Sequence, residues 1–128
     1  MTRRKKHRRI YVICAVRVCE PDQTAFVRDY VAQLEAAGHE VYLPGRDTGI
    51  AELPENGWGI VQRNEERLRW ADEVHIVYSR TSQGSAYDLG FARALHKPIV
   101  IAQRAIVRAL AKGSDGFAVA MLEMEKEK

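Results

Sequence analysis

The chain has 128 residues, 46% of them hydrophobic, enough for one folded domain with its own core and too many for a disordered protein. No apolar run approaches the roughly 18 residues of a transmembrane helix. The net charge of +3 conceals an asymmetry: six of the 20 Lys and Arg residues fall in the first nine positions, leaving 14 against 17 Asp and Glu, so the body of the chain is mildly acidic.

Residues 1–9, with Arg3, Arg4, Lys5, Lys6, Arg8 and Arg9, read as a basic, disordered tail. Such a run offers phosphate contacts to a nucleic acid, and serves equally as a solvated terminus. Residues 10–16 are almost continuously apolar and rich in β-branched side chains, the pattern of a parallel strand buried on both faces. The basic start and this strand imitate a secretory leader, but the apolar part is short, Arg17 interrupts it and no small-residue cleavage site follows. The expected location is therefore the cytoplasm. Cys14 reads as a small buried hydrophobe and Cys19 as a loop residue, and their surroundings offer neither zinc spacing nor a disulfide framework.

Pro21 and Asp22 suit the first turn of a helix, in which Phe26, Val27, Tyr30, Val31 and Leu34 recur at helical spacing before Gly38 stops it. A short strand over 41–43 ends at Pro44-Gly45, and the connection over 44–59 is long and rich in Gly, Pro and charge, as functional loops are. A polar helix over 60–70, a strand over 74–78, a helix running to His96 and a strand over 99–101 follow. Beyond them come a helix near 106–110, a turn at 113–116, a last strand or helix over 117–122 and a charged tail over 123–128. Strands alternating with helices predict a doubly wound, flavodoxin- or Rossmann-like α/β domain over 10–122, with a mostly parallel sheet of about five strands and helices on both faces.

In such sheets ligands bind outside the carboxyl ends of the strands, which selects the loops at 17–22, 44–59, 79–85 and 103–104. Ser82-Gln83-Gly84-Ser85 passes from a strand into a helix start, where backbone N–H groups favour an anion, and Asp88 lies about one turn further on. A carboxylate there can attack a sugar's anomeric carbon or stabilise an oxocarbenium ion; it also simply favours the helix dipole. Ser82, Gly84 and Ser85 suit a phosphate or hydroxyl, although Ser85 suits plain N-capping as well. Tyr11 and Tyr87 are candidates for stacking on a ring, and Arg17, Arg46 and Asp47 are placed for ligand contact. Asn64, Glu65 and Glu66 on the polar helix are ambiguous between site and solvated face. His39, His75 and His96 show no triad or metal spacing, and the phosphate-loop and dinucleotide glycine motifs are absent from the sequence.

Taken in order, Ile10-Tyr11-Val12-Ile13-Cys14-Ala15-Val16-Arg17, Leu34-Glu35-Ala36-Ala37-Gly38-His39-Glu40-Val41, Pro44-Gly45-Arg46-Asp47-Thr48, Ala71-Asp72-Glu73-Val74, the 82–92 block and Lys97-Pro98-Ile99-Val100 resemble the nucleoside 2-deoxyribosyltransferase-like family over about residues 10–101. Within it the chain looks like a branch with the pattern S-Q-G-S-x-x-D-L-G. The resemblance implies a five-stranded parallel sheet, a pocket for a nucleoside or nucleoside monophosphate, cleavage or transfer of the N-glycosidic bond without metal or redox cofactor, and a homo-oligomer whose pockets borrow neighbouring residues. In active members a glutamate stands at the position of Asp88 and acts as the nucleophile. An aspartate on the preceding helix aligns with Asn64, beside Glu65, and a glycine after the first strand aligns with Cys14.

The expected function is thus an N-glycosidic hydrolase or transferase acting on a nucleoside or 2′-deoxynucleoside 5′-phosphate, with Asp88, Tyr11 and Asn64 at the reacting end. Because Asp88 is one methylene shorter than glutamate, the alternative is a non-catalytic module of the same fold that senses a nucleotide or nucleoside metabolite. Nucleic-acid binding is expected only through the basic tail.

Overall fold

The computed structural model describes residues 7–15, 21–48 and 57–127. Arg17, Cys19, residues 1–6 and residues 49–56 of the long connection lie outside the described residues. Four strands, β1 (Arg9–Ile13), β2 (Glu40–Tyr42), β3 (Glu73–Ile76) and β4 (Ile99–Ile101), pair in parallel in the order β2-β1-β3-β4. The helices are α1 (Pro21–Ala36), α2 (Pro44–Asp47), α3 (Gly57–Trp70), α4 (Gln83–Ala94), α5 (Arg104–Lys112) and α6 (Gly116–Lys126).

The continuous apolar character of β1 has a direct consequence, because successive side chains point to opposite faces. Ile10 and Val12 pack with Val77 against Val27 and Val31 of α1. Tyr11 and Ile13 join Val74, Ile76, Ile99 and Ile101 on the other face, under Leu68 of α3, Leu89 of α4 and Met121 of α6. The sheet is therefore buried on both sides, as expected for parallel pairing. Gly38 ends α1 at φ 95°, a backbone region that costs glycine little, and His39 N–H closes the turn on Leu34 O at 3.2 Å.

Two expectations about the end of the chain are corrected. The sheet has four strands among the described residues rather than about five, because 117–122 is helical. Asp115 caps α6 by accepting from Ala118 N–H at 3.0 Å, and Ala118 and Met121 are buried three residues apart, a helical rather than a strand period. The same helix carries on to Lys126, where the sequence suggested a tail. Glu125 accepts from the N–H of Ile101 at 2.8 Å on the outer edge of β4, and Arg104 holds that carboxylate at 2.7 and 2.8 Å.

At the other end, Arg8 and Arg9 are anchored. Arg9 begins β1 and meets Asp72, while Arg8 reaches Glu73 at 2.5 Å, a carboxylate that also accepts from His75 Nε2–H at 2.6 Å. Burial pushes the Glu73 carboxyl up, but those two donors outweigh it and hold it down to about 2. A depressed acid stabilises the fold above its unfolded value near 4.5 and loses that contribution as pH falls toward 2. Glu73→Gln should therefore lower stability by about 3 kcal/mol at pH 7 and by much less at pH 3, measured by urea unfolding at both pH values. Equal losses at the two pH values would count against this ion cluster.

Candidate active site

The strand order reverses between β1 and β3, since α1 leads outward to β2 and the next strand returns on the other side of β1. A cavity of about 460 Å³ opens there, at the carboxyl ends of those two strands, the position where open α/β sheets take their ligands. Cys14 and Ala15 follow β1 into its wall, Ile60, Val61 and Asn64 come from α3, and the stretch from Thr81 to Ser85 with Tyr87 and Asp88 closes the far side.

Ser82, not Ser85, is the N-cap of α4. Its Oγ accepts from Ser85 N–H at 3.1 Å, the bond that lets the helix start where it does. Ser85 is 4% exposed, and its hydroxyl finds no hydrogen-bond partner among the described residues. A Cβ added to Gly84 would meet nothing within 4 Å. The protein's own packing thus does not require glycine here, and Gly84→Ala should leave the fold intact or raise its stability by up to about 1 kcal/mol. If the glycine makes room for a ligand, the same variant loses ligand binding; unchanged binding in a thermal-shift titration would show that it does not.

Asp88 sits one helical turn after Gly84, facing the cavity. The hydroxyl of Tyr11, a residue with no exposed surface, donates to Asp88 Oδ2 at 2.8 Å. Burial drives the Asp88 carboxyl up to about 6, partly offset by the Tyr11 bond and reinforced by the negative charge of Glu65. Burial and the adjoining carboxylate push the Tyr11 phenol well above its usual range, so it remains a donor. Tyr11 therefore does not form a stacking surface in the cavity, as its sequence position had suggested; it supports the acid from behind. Tyr87 is 49% exposed, lines the cavity and donates to Glu65 Oε2 at 2.5 Å.

Asn64 is held by a relay. Thr48 Oγ1–H donates to Asn64 Oδ1 at 3.0 Å, so the 2.7 Å contact between Tyr42 and Thr48 is donated by the tyrosine. With its oxygen occupied, the amide turns its two-proton donor end to the remaining surroundings. Thr48 is 2% exposed and was not singled out in the sequence; a threonine after Asp47 carries no local signal for a bond to a helix 16 residues away.

Two expected contacts do not reach this cavity. Asp47 accepts from Leu43 N–H at 2.9 Å, closing the short turn of α2. Arg46 forks onto Glu35 at 3.2 Å through both Nη atoms and also meets Asp47 at 2.8 Å. Both side chains are spent on local structure, and Arg46 lines a neighbouring groove against α1. Among the described residues no group of three or more His, Cys, Asp and Glu is arranged to hold a metal ion. Nor is any described helix long and apolar enough to cross a membrane.

A family model for nucleoside 2-deoxyribosyltransferases matches residues 10–123. The chain belongs to the nucleoside 2-deoxyribosyltransferase family. A solved 2-deoxyribosyltransferase from the psychrotolerant bacterium Bacillus psychrosaccharolyticus is similar in fold, with a TM-score of 0.57 and 24% identity over 73% of this chain and 70% of that one. No curated protein matches the chain significantly. For a nucleoside 2-deoxyribosyltransferase family member, a parallel sheet with a cavity at its switch point is the expected frame.

Proposed function

We propose that the protein cleaves the N-glycosidic bond of a nucleoside or 2′-deoxynucleoside 5′-phosphate and passes the sugar to a second base or to water. The observation that carries this reading is the Asp88 carboxyl, held by Tyr11 on the wall of a cavity large enough for a nucleoside. In the first step an Asp88 oxygen bonds to the anomeric carbon while the C–N bond electrons leave with the base, which takes a proton from solvent. In the second, a nitrogen of the incoming base, or water, bonds to the anomeric carbon as the sugar–Asp88 ester bond breaks, which returns the carboxylate and releases the attacking group's proton to solvent. Tyr11 stabilises the carboxylate form, and Asn64 offers donors to acceptors on the substrate. Gly84 and Ser85 border the sugar or its phosphate, beside the Ser82 cap. No metal or redox cofactor is needed for these steps.

A homo-oligomer is part of the same proposal. Trp58 is 60% exposed two residues before cavity-lining Ile60, a large apolar surface suited to a neighbouring copy at the cavity mouth.

Full-length protein incubated with a panel of nucleosides and deoxynucleoside monophosphates, with and without a second base, should release free base from at least one of them by chromatography. No release at high protein concentration and long incubation would sink the proposal. One feature favours a second reading, a sensor without turnover: the Asp88 carboxyl is set back by a methylene, and displacement by about 1 Å can cost about a hundredfold in rate. Ligand-dependent stabilisation with no base release would select it.

A further inference from the structure

A second groove, of about 410 Å³, runs along α1 from Thr24 to Glu35, facing Leu43, Gly45 and Arg46. It adjoins the candidate site: Cys14 and Ala15 at the end of β1 belong to the walls of both. From the geometry we infer that the two lobes form one extended site for a dinucleotide: a nucleoside in the first lobe, and a phosphate-linked second ring system lying across Cys14 and Ala15 into the second.

Three observations select this occupant. The described lining of the first lobe contains no Lys or Arg, and Asp88 is the ionisable carboxyl within it, so beyond the N–H groups at the start of α4 it has no cation for the further phosphate of a larger ligand. The cations stand in the second lobe. Arg46 there is already countered by Glu35 and Asp47, whereas Arg28 makes no ion pair or hydrogen bond among the described residues, which leaves its charge for a phosphate. Finally, the floor and sides of the groove are apolar: Val27 and Val31 are 5% and 2% exposed, and Leu43 stands opposite them, a surface for a flat ring rather than for a second charge. The inference rests on the first lobe taking a nucleoside, as proposed above.

The test uses the full chain, with NAD as the dinucleotide probe and adenosine and nicotinamide riboside as its nucleoside halves, in calorimetric titrations. Expected is NAD binding at least about tenfold tighter than either half. Arg28→Glu reverses the charge, and Ala32→Trp fills the groove from an exposed helix position without touching the core. Each should reduce NAD affinity to the level of a half while leaving the binding of the halves unchanged. NAD binding no tighter than its halves, or tight NAD binding indifferent to both variants, overturns the second lobe while the nucleoside reading stands. Failure of all three probes to bind overturns the second lobe, while the nucleoside reading is judged by the base-release panel. Circular dichroism confirms that each variant is folded before titration.

Discussion

Replacing Asp88 by Asn should make the protein more stable and nearly inactive. The stability side follows from the raised carboxyl: an acid that titrates near 6 in the fold and near 3.8 when unfolded binds its proton more tightly in the native state. Between those values the native state holds more protons than the unfolded one, so stability falls as pH rises through that window and stays lower above it. At pH 7 the ionised carboxylate costs the fold about 3 kcal/mol, which a neutral amide of the same shape relieves while still accepting from Tyr11. Thermal unfolding at pH 7 should therefore show a higher midpoint for Asp88→Asn, with the gain disappearing near pH 3.5. On the activity side, an amide cannot form the sugar ester, and removing a nucleophile can lower kcat by about 10⁴ or more. A variant that is more stable and keeps full base release would remove Asp88 from the chemistry.

The second large effect is a pair of opposite shifts in the pH profile. The nucleophile must be ionised, so kcat/KM should rise with pH through about 6. Tyr11→Phe removes the donor that lowers the Asp88 value, and a hydrogen bond to a charged group is worth about 1.5–3 kcal/mol. The acid limb should move up by about one to two pH units, and the rate at pH 7 should fall about two- to tenfold. Glu65→Gln removes a negative charge that raises the Asp88 value, so its limb should move down. Profiles of the two variants measured on the same substrate test both signs. Shifts in one common direction would mean that the Tyr11 and Glu65 contacts do not set the acid.

Much of this arrangement was legible in the sequence because it is local. The continuous apolar run of β1, the glycine that ends α1 and the strand-to-helix passage over 82–92 each announce themselves within a dozen residues, and together they place Asp88 at the crevice. What remained hidden depends on partners far apart in the chain. Tyr11 and Asp88 are 77 residues apart, so nothing near Tyr11 shows that its hydroxyl is committed to a carboxylate. Arg46 looked free for a ligand because Glu35, eleven residues earlier, lies across a strand from it. The 117–122 run was ambiguous for another reason. Phe117, Ala118, Val119, Ala120, Met121 and Leu122 are all apolar, and a uniform run has no period; the Asp115 cap and the sheet edge beside it decide for helix.

That edge has a further consequence. A parallel sheet ending at β4 would ordinarily offer its outer N–H groups to another chain, and such templates drive strand addition and polymerisation. Glu125 stands where an incoming strand's carbonyl would dock, clamped in place by Arg104 and 11% exposed. The side chain acts as a plug for the sheet. Recruitment of a foreign strand at β4 is thereby obstructed, so self-association on this flank must use the outer surfaces of helices. A concentrated solution of the intact chain should accordingly resist fibril formation better than one in which Glu125 has lost its charge.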